Sequence, residues 1–416
     1  MQLALLYIVL VELFVAGSGR IFSIDFFSLR MLLYIIAMIF TLFNLRRINT
    51  SYHKNLVFVF VLMLIFNSFV GFLNNANISS LFDDVRYLSY FPMLLFFSLS
   101  INSLEKVKNV TNIIKFSSLT VCIVYSVVCF FLRSGMIDSS KFYESMTPYD
   151  GVDIAFRSEY IFIYTGLFIG FSSFFLFLFD GEVKYKSKRH KIVRLFSLLT
   201  IAHSVFITYT RGLLISVFTT AITSYLYLNY KNQKAFLNII FIAALFVFSM
   251  IFAGDIITDF SGVRSSNQDD SDLVRVVSIE QLLNMLTPLS LLIGHGLGIG
   301  VQIRPSHMEI VYLEILHKQG IVGISFYLFL LVKIIINLFS IFRSKNCGGE
   351  HGNIKSYALS YTSASLYVYI QSFTNPLLTN ALGTSIVVLS LTITDLLVYL
   401  QSQRQDSIRS TCSVVS

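Results

Sequence analysis

The chain has 416 residues, 55% of them hydrophobic and 13% charged, with a formal net charge of +8 and a mean hydropathy of +0.73. Soluble domains carry about 25% charged residues, so this composition excludes a soluble enzyme and indicates an integral membrane protein. The positive balance, which in a soluble protein would suggest nucleic acid, here belongs to loops that stay in the cytoplasm.

The 41 Phe and the absence of Trp leave Tyr to supply any interfacial aromatic belt. Of the four cysteines, Cys122 and Cys129 share an apolar segment, Cys347 lies in a basic stretch and Cys412 near the C-terminus. None falls in a segment placed outside, no C-x-x-C occurs, and no His/Cys cluster has metal spacing. Neither a disulfide framework nor a metal nor any cofactor is expected.

Spanning a bilayer takes roughly 20 apolar residues. In chain order the apolar runs fall at 3–19, 26–43, 56–73, 87–101, 113–132, 159–179, 195–210, 212–230, 236–253, 320–341, 356–373 and 384–401. The first run, in MQLALLYIVLVELFVAGSG, has the small-residue ending of a signal peptide. It lacks a basic start and carries Glu12, so it reads as a retained span. The fold expected is all-α: about 12 transmembrane helices, with a large, partly helical external loop between spans nine and ten. Residues 1–253 would hold spans one to nine and an external loop at 133–158. Residues 254–319 would form the large loop, and 320–416 the last three spans and a cytoplasmic tail.

Charge orients this arrangement. With both termini inside, most of the 31 basic residues lie in cytoplasmic connections, including the run KYKSKRHKIVR at 184–194. Inverting the topology would place that run outside, against the positive-inside rule.

Two external segments are long. Residues 133–158 are rich in Asp, Glu, Tyr and Ser, and their Phe142, Tyr143 and Tyr149 either stack on sugar rings or dock the loop. In 254–319, SDLVRVVSIEQLLNML and HMEIVYLEILHKQG have helical periodicity, the second ending in glycine. Between them lies GHGLGIG (294–300). It superficially resembles a nucleotide loop, but no βαβ unit surrounds it. Its glycines would instead allow a tight backbone close to a ligand. Asp270-Ser-Asp272 reads as a solvated acidic pair rather than a metal site.

A few cations on the external side need a reason. Arg211 stands in a TRG connection between spans seven and eight, at the positive end of the next helix. It is either half of an anion site or a snorkelling arginine. Arg157 closes the first external loop, and Arg275 lies on the first helix of the second. Guanidinium forks suit phosphate oxygens, with a Glu159 ion pair and a solvated face as their bland alternatives. His307 opens the second loop helix, where imidazole is the usual side chain for taking a proton from a hydroxyl. Glu314, seven residues on, either orients that ring or pairs with Lys318. His203, inside span seven, reads as a hydrogen-bonded packing residue.

The order of these motifs resembles the O-antigen ligase/polymerase family: TRG between spans, an arginine in a large penultimate loop, G-x-G-x-G, then H-x-E-x-x-Y-L-x-x-L-x-x-x-G-x-x-G from His307 through Tyr312, Leu313, Leu316 and Gly320 to Gly323. The resemblance implies a glycosyltransferase of the bacterial inner membrane, metal-independent and inverting, with an active site at the periplasmic face. Its donor would be a glycan on undecaprenyl pyrophosphate. It further implies that Arg157, Arg211 and Arg275, with Tyr312, bind substrate while His307 activates the acceptor hydroxyl.

Within the family the sequence is read as a Wzy-type polymerase, which moves the growing chain onto a lipid-linked repeat unit. A ligase would move it to lipid A-core instead. The ligase motif commonly continues His-Asn where this chain has His307-Met308. A flippase or transporter is the third reading, for which the inverted repeats of that class are not evident. The expected partners are undecaprenyl-pyrophosphate-linked oligosaccharides, the lipid bilayer and a chain-length regulator, with no nucleic acid.

Overall fold

The computed structural model describes residues 2–17, 23–24, 27–48, 50–146, 154–158, 161–180, 187–208, 210–229, 267–305, 307–344 and 351–415. The helices described are α1 (Gln2–Val15), α2 (Leu29–Phe43), α3 (Ser51–Leu73), α4 (Ile78–Leu88), α5 (Met93–Ser100), α6 (Leu104–Arg133), α7 (Ser139–Met146), α8 (Gly166–Gly170), α9 (Ser173–Leu178), α10 (Lys188–Ile207), α11 (Arg211–Asn229), α12 (Asn267–Met285), α13 (Pro288–Ile293), α14 (Val311–Arg343), α15 (His351–Gln371) and α16 (Ala381–Val415). Two short antiparallel ladders pair β1 (Ser23–Ile24) with β2 (Phe27–Ser28), and β3 (Ile154–Ser158) with β4 (Ile161–Tyr164).

Among the described residues, six helices are long and apolar enough to cross a membrane: α3, α6, α10, α11, α14 and the Ala381–Arg404 part of α16. They match expected spans three, five, seven, eight, ten and twelve. Shorter apolar helices, α1 and α2, stand in the first two. Span nine, at 236–253, lies outside the described residues.

Spans four and six are not continuous helices. The fourth is interrupted between α4 and α5, where Pro92 stands in the turn, and α5 is buried along nearly its whole length. The sixth begins as strand β4 and continues as α8 and α9. Irregular backbone at membrane depth is tolerated where protein rather than lipid surrounds it. The Met93–Phe97 side chains and Leu167, Ile169, Phe171 and Phe175 are all buried.

The outward faces explain the phenylalanine content. Phe58, Phe69, Phe72, Phe116 and Phe130 are each more than half exposed, a surface that suits lipid and would aggregate in water. Several tyrosines serve the protein interior rather than an interfacial belt. Tyr125, Tyr367 and Tyr369 are buried and donate to the carbonyls of Phe168, Tyr327 and Phe162, with Tyr367 on Phe168, Tyr369 on Tyr327 and Tyr125 on Phe162. Two of the three belong to α15, whose buried residues also include Ser360, Thr362, Ser363 and Ser365. α15 packs against α11, α14 and α16. Surrounded by protein, it needs little apolar surface.

Contacts gather several chain segments at one end of the bundle. The Gln2 amide donates to Leu99 O, His53 meets Ser98 and Asp395, and the Gln401 amide donates to Ile341 O. There, His53 Nε2 lies 2.8 Å from Asp395 Oδ2, while Asn337 donates to the other oxygen at 2.7 Å. His203, expected to pack inside, is exposed on α10.

Glu12, which argued against a signal peptide, is buried against Arg30 of α2. Arg30 Nε donates to both its oxygens, at 3.1 and 3.0 Å, and Nη2 donates to Gly17 O at 2.6 Å. Breaking a buried pair strands the remaining charge. Glu12→Leu is expected to cost about 3–5 kcal/mol, read as a lower denaturation midpoint in detergent. Glu12→Leu combined with Arg30→Leu should recover most of that loss. An equally unstable double variant would show that the pair is not what joins α1 to α2.

Candidate active site

α14 is two helices joined at a break. Gly320 has φ 66° and ψ −166°, so the segment from Val311 to Gln319 ends there with carbonyls that its own helix does not satisfy. The glycine-rich strap 294–300 answers them. His295 N–H donates to His317 O at 2.7 Å, and Gly296 N–H donates to Lys318 O at 3.1 Å. The strap then crosses α3, where Leu297 N–H donates to Asn67 O at 3.0 Å. It ends on α4, where Gly298 N–H donates to Asp84 Oδ2 at 2.7 Å.

Glycine is required for these approaches. A Cβ on Gly296 would lie 2.0 Å from Gly71 N, and one on Gly320 2.3 Å from Leu292 O. The strap's glycines were expected to let the backbone run tight against a ligand. The structure instead puts it tight against the protein's own main chain.

The strap frames a cluster of four ionisable groups. Lys318 Nζ donates to Asp84 Oδ1 at 2.8 Å and to Glu314 Oε1 at 2.7 Å. His307 Nδ1 lies 3.0 Å from the same Glu314 oxygen and 3.6 Å from Asp84 Oδ1. The Lys318, Glu314 and Asp84 side chains are 3%, 4% and 6% exposed, whereas His307 is 38% exposed. Burial pushes the Asp84 carboxyl above the ordinary carboxylate range, against the opposing pull of the Lys318 ammonium and the Gly298 N–H. The Tyr87 ring meets the imidazole edge-on, with centroids 5.5 Å apart.

Glu314 therefore does both things open to it: it faces the imidazole and pairs with Lys318. A carboxylate only accepts, so Nδ1 carries the proton and Nε2 is left as the basic nitrogen. His307 does not begin the helix as expected. The helix starts at Val311, and His307–Ile310 form the lead-in, which brings the ring to Glu314 without a shared helical face.

Asp84, His307 and Glu314 place three ligand atoms within 4.8 Å of one another, a spacing that could hold a metal ion. An ammonium already bridges the two carboxylates, so a dication would have to share the site with a positive charge.

The arginines are disposed differently from one another. Arg275, on α12, has Nε 2.6 Å from Glu309 Oε2, and Arg304 Nη2 is 2.5 Å from Glu309 Oε1. Arg211 opens α11 and is exposed. The first turn of α11 presses on the segment after α15, since a Cβ on Gly212 would lie 2.3 Å from Thr374 Oγ1. The next residue back, Phe373, packs against Tyr312 with centroids 4.5 Å apart, and the Tyr312 hydroxyl donates to Tyr369 O at 2.6 Å. The short segment 373–374 thus touches both Tyr312 and Gly212, the neighbour of Arg211. Arg157 sits at an irregularity in the β3–β4 ladder, between the Phe156 and Ser158 pairs. Its side chain lies outside the described residues, as do those of Asp270, Asp272, Tyr143 and Tyr149. Phe142 docks its loop, packing 5.5 Å from Phe162.

No family model matches the chain. It is similar to an O-antigen polymerase of Shigella flexneri, 26% identical over 400 residues, which cover 91% of this chain and 90% of that protein. The similarity supports the Wzy-type O-antigen polymerase family.

For a chain resembling O-antigen polymerases, motif reading alone passes over three of the residues gathered here. Asp84 and Tyr87 lie in FDDVRYL, at the polar entry to the fourth apolar run, whose amphipathic helix was the available signal. Arg304 carries no motif, and only its carboxylate partner reveals it.

The strap offers a direct test. Gly296→Ala is expected to lift 294–300 off α3, with faster hydrogen exchange there and a lower melting temperature. Gly135→Ala has a similar φ of 70° but nothing within 4 Å. It should show only the roughly 1–2 kcal/mol cost of a left-handed residue. Equal behaviour of the two variants would refute the close-approach argument.

Proposed function

We propose that this protein is an O-antigen polymerase, transferring a growing glycan from undecaprenyl pyrophosphate to a lipid-linked repeat unit at the periplasmic face of the inner membrane. The observation that carries this reading is the half-exposed His307 ring held through Nδ1 by buried Glu314. The Shigella flexneri O-antigen polymerase similarity supports the same class of reaction.

In this reading the acceptor hydroxyl reaches His307 Nε2, which takes its proton. The hydroxyl oxygen then attacks the anomeric carbon of the donor sugar from the face opposite the pyrophosphate, inverting the centre. The bond from that carbon to the pyrophosphate oxygen breaks, and its electron pair leaves with the pyrophosphate. Charge grows on that group as the bond lengthens, and cations fixed beside it stabilise the transition state. Arg157, Arg211 and Arg275 are the residues assigned to it, with Tyr312 among the substrate contacts. Arg211 is more accessible than Arg275, standing exposed at the positive end of α11. No step calls for a metal, because the arginines supply the positive charge.

His307→Ala is expected to lower elongation by about 10²–10⁴-fold while the chain still inserts in the membrane. A lipopolysaccharide gel should then show core with a single repeat and no ladder. Bare core would point to a ligase or a flippase, and a normal ladder would remove His307 as the base. Arg211→Lys keeps the charge but loses the fork. It should weaken donor use by about tenfold, the worth of one charge-assisted hydrogen bond; unchanged donor use would argue against a phosphate contact there.

A further inference from the structure

We propose that Lys318 is a built-in cation of the active site, a positioning residue whose ammonium holds the Glu314 carboxylate against His307. This rests on the reading of His307 as the general base. Two buried carboxylates converge beside His307, and opposed carboxylates in a low-dielectric pocket repel unless a positive charge lies between them. Many enzymes meet that need with a divalent ion. Here Lys318 Nζ spans the gap with bonds of 2.8 Å to Asp84 and 2.7 Å to Glu314. The oxygen of Glu314 that receives the ammonium is also the one that faces His307 Nδ1. One ammonium therefore fixes the acceptor that fixes the ring.

Three features hold Lys318 in this role. Its carbonyl is bound by Gly296 N–H of the strap. A Cβ on Gly294 would lie 2.3 Å from that same carbonyl group, so the strap bears directly on the Lys318 main chain. The helix breaks two residues later at Gly320. The anchor on the other side, Asp84, is held in turn by Gly298 N–H. Strap, lysine and aspartate thus form a closed frame around Glu314, and the G-x-G-x-G segment serves to place a charge rather than to cradle a nucleotide.

The test uses the full-length protein reconstituted in liposomes with a lipid-linked repeat unit as substrate. It compares wild type, Lys318→Ala and His307→Ala. Lys318→Ala is expected to insert normally and keep its donor KM, with kcat lowered by about 100-fold, the cost of a misplaced catalytic group. Ethylammonium chloride should restore roughly tenfold of that loss by refilling the ammonium site, and should do nothing for His307→Ala. Wild-type kcat in Lys318→Ala overturns the proposal. So does a loss that ethylammonium leaves unchanged while melting temperature and KM shift together, because a purely structural tie behaves that way. Should Lys318→Ala fail to accumulate, Asp84→Asn with Lys318→Met replaces it, with an amide oxygen still able to accept from Gly298. A kcat loss without a fall in melting temperature supports the proposal there, and wild-type kcat overturns it. A wild-type chain that cannot elongate the repeat unit would instead overturn the polymerase reading itself, separately from the role of Lys318.

Discussion

Two main-chain hydrogen bonds, from His295 and Gly296 to the carbonyls of His317 and Lys318, are the constraint on which the site depends. They exist because α14 breaks at Gly320. In an unbroken helix those carbonyls would be taken by the following turn, and the strap would have no acceptors on this side. The break therefore converts a helix end into a docking edge. Onto that edge the strap lays α3 through Asn67 and α4 through Asp84. The consecutive helices α3 and α4 are thereby registered against the distant α14 by one short segment of backbone.

The charge arrangement follows from this registration. Glu309, in the same lead-in that carries His307, engages Arg275 and Arg304 at once. A phosphate oxygen arriving at Arg275 meets a guanidinium already paired to a carboxylate. Arg211 meets no such competitor among the contacts described, and its helix terminus adds a favourable dipole. The arginines that motif order groups together are thus electrostatically unequal, and the difference lies in their neighbours rather than in their residue type.

Much of the fold was legible in the sequence because hydropathy reports lipid contact. The long helices α3, α6, α10, α11 and α14 expose much apolar surface, while α16 is as apolar but mostly buried against the protein. Where protein replaced lipid as the surrounding medium, the signal misled. α5 and the pair α8–α9 look like spans because they are apolar, yet they are short buried pieces. In the site, His307 and Glu314 could be paired from spacing, although the helix that spacing assumed begins only at Val311. Asp84 could not be joined to them, since it lies far from His307 in sequence and only tertiary contacts, through the strap and Lys318, bring them together. The GHGLGIG segment was recognisable as a tight backbone, but what it was tight against is a tertiary fact.

α15 carries one more consequence. Several of its buried hydroxyls find partners on neighbouring helices, such as Tyr369 on Tyr327 of α14 and Ser363 beside Ser224 of α11. It is absent from the helices apolar enough to cross a membrane on their own. Partition into lipid therefore gives this helix little reason to stay in the bilayer during synthesis. As an expected span, its place in a bilayer would rest on α11 and α14, which are made earlier, and on α16, which is made afterwards. For such a helix, membrane integration and tertiary folding would be one event.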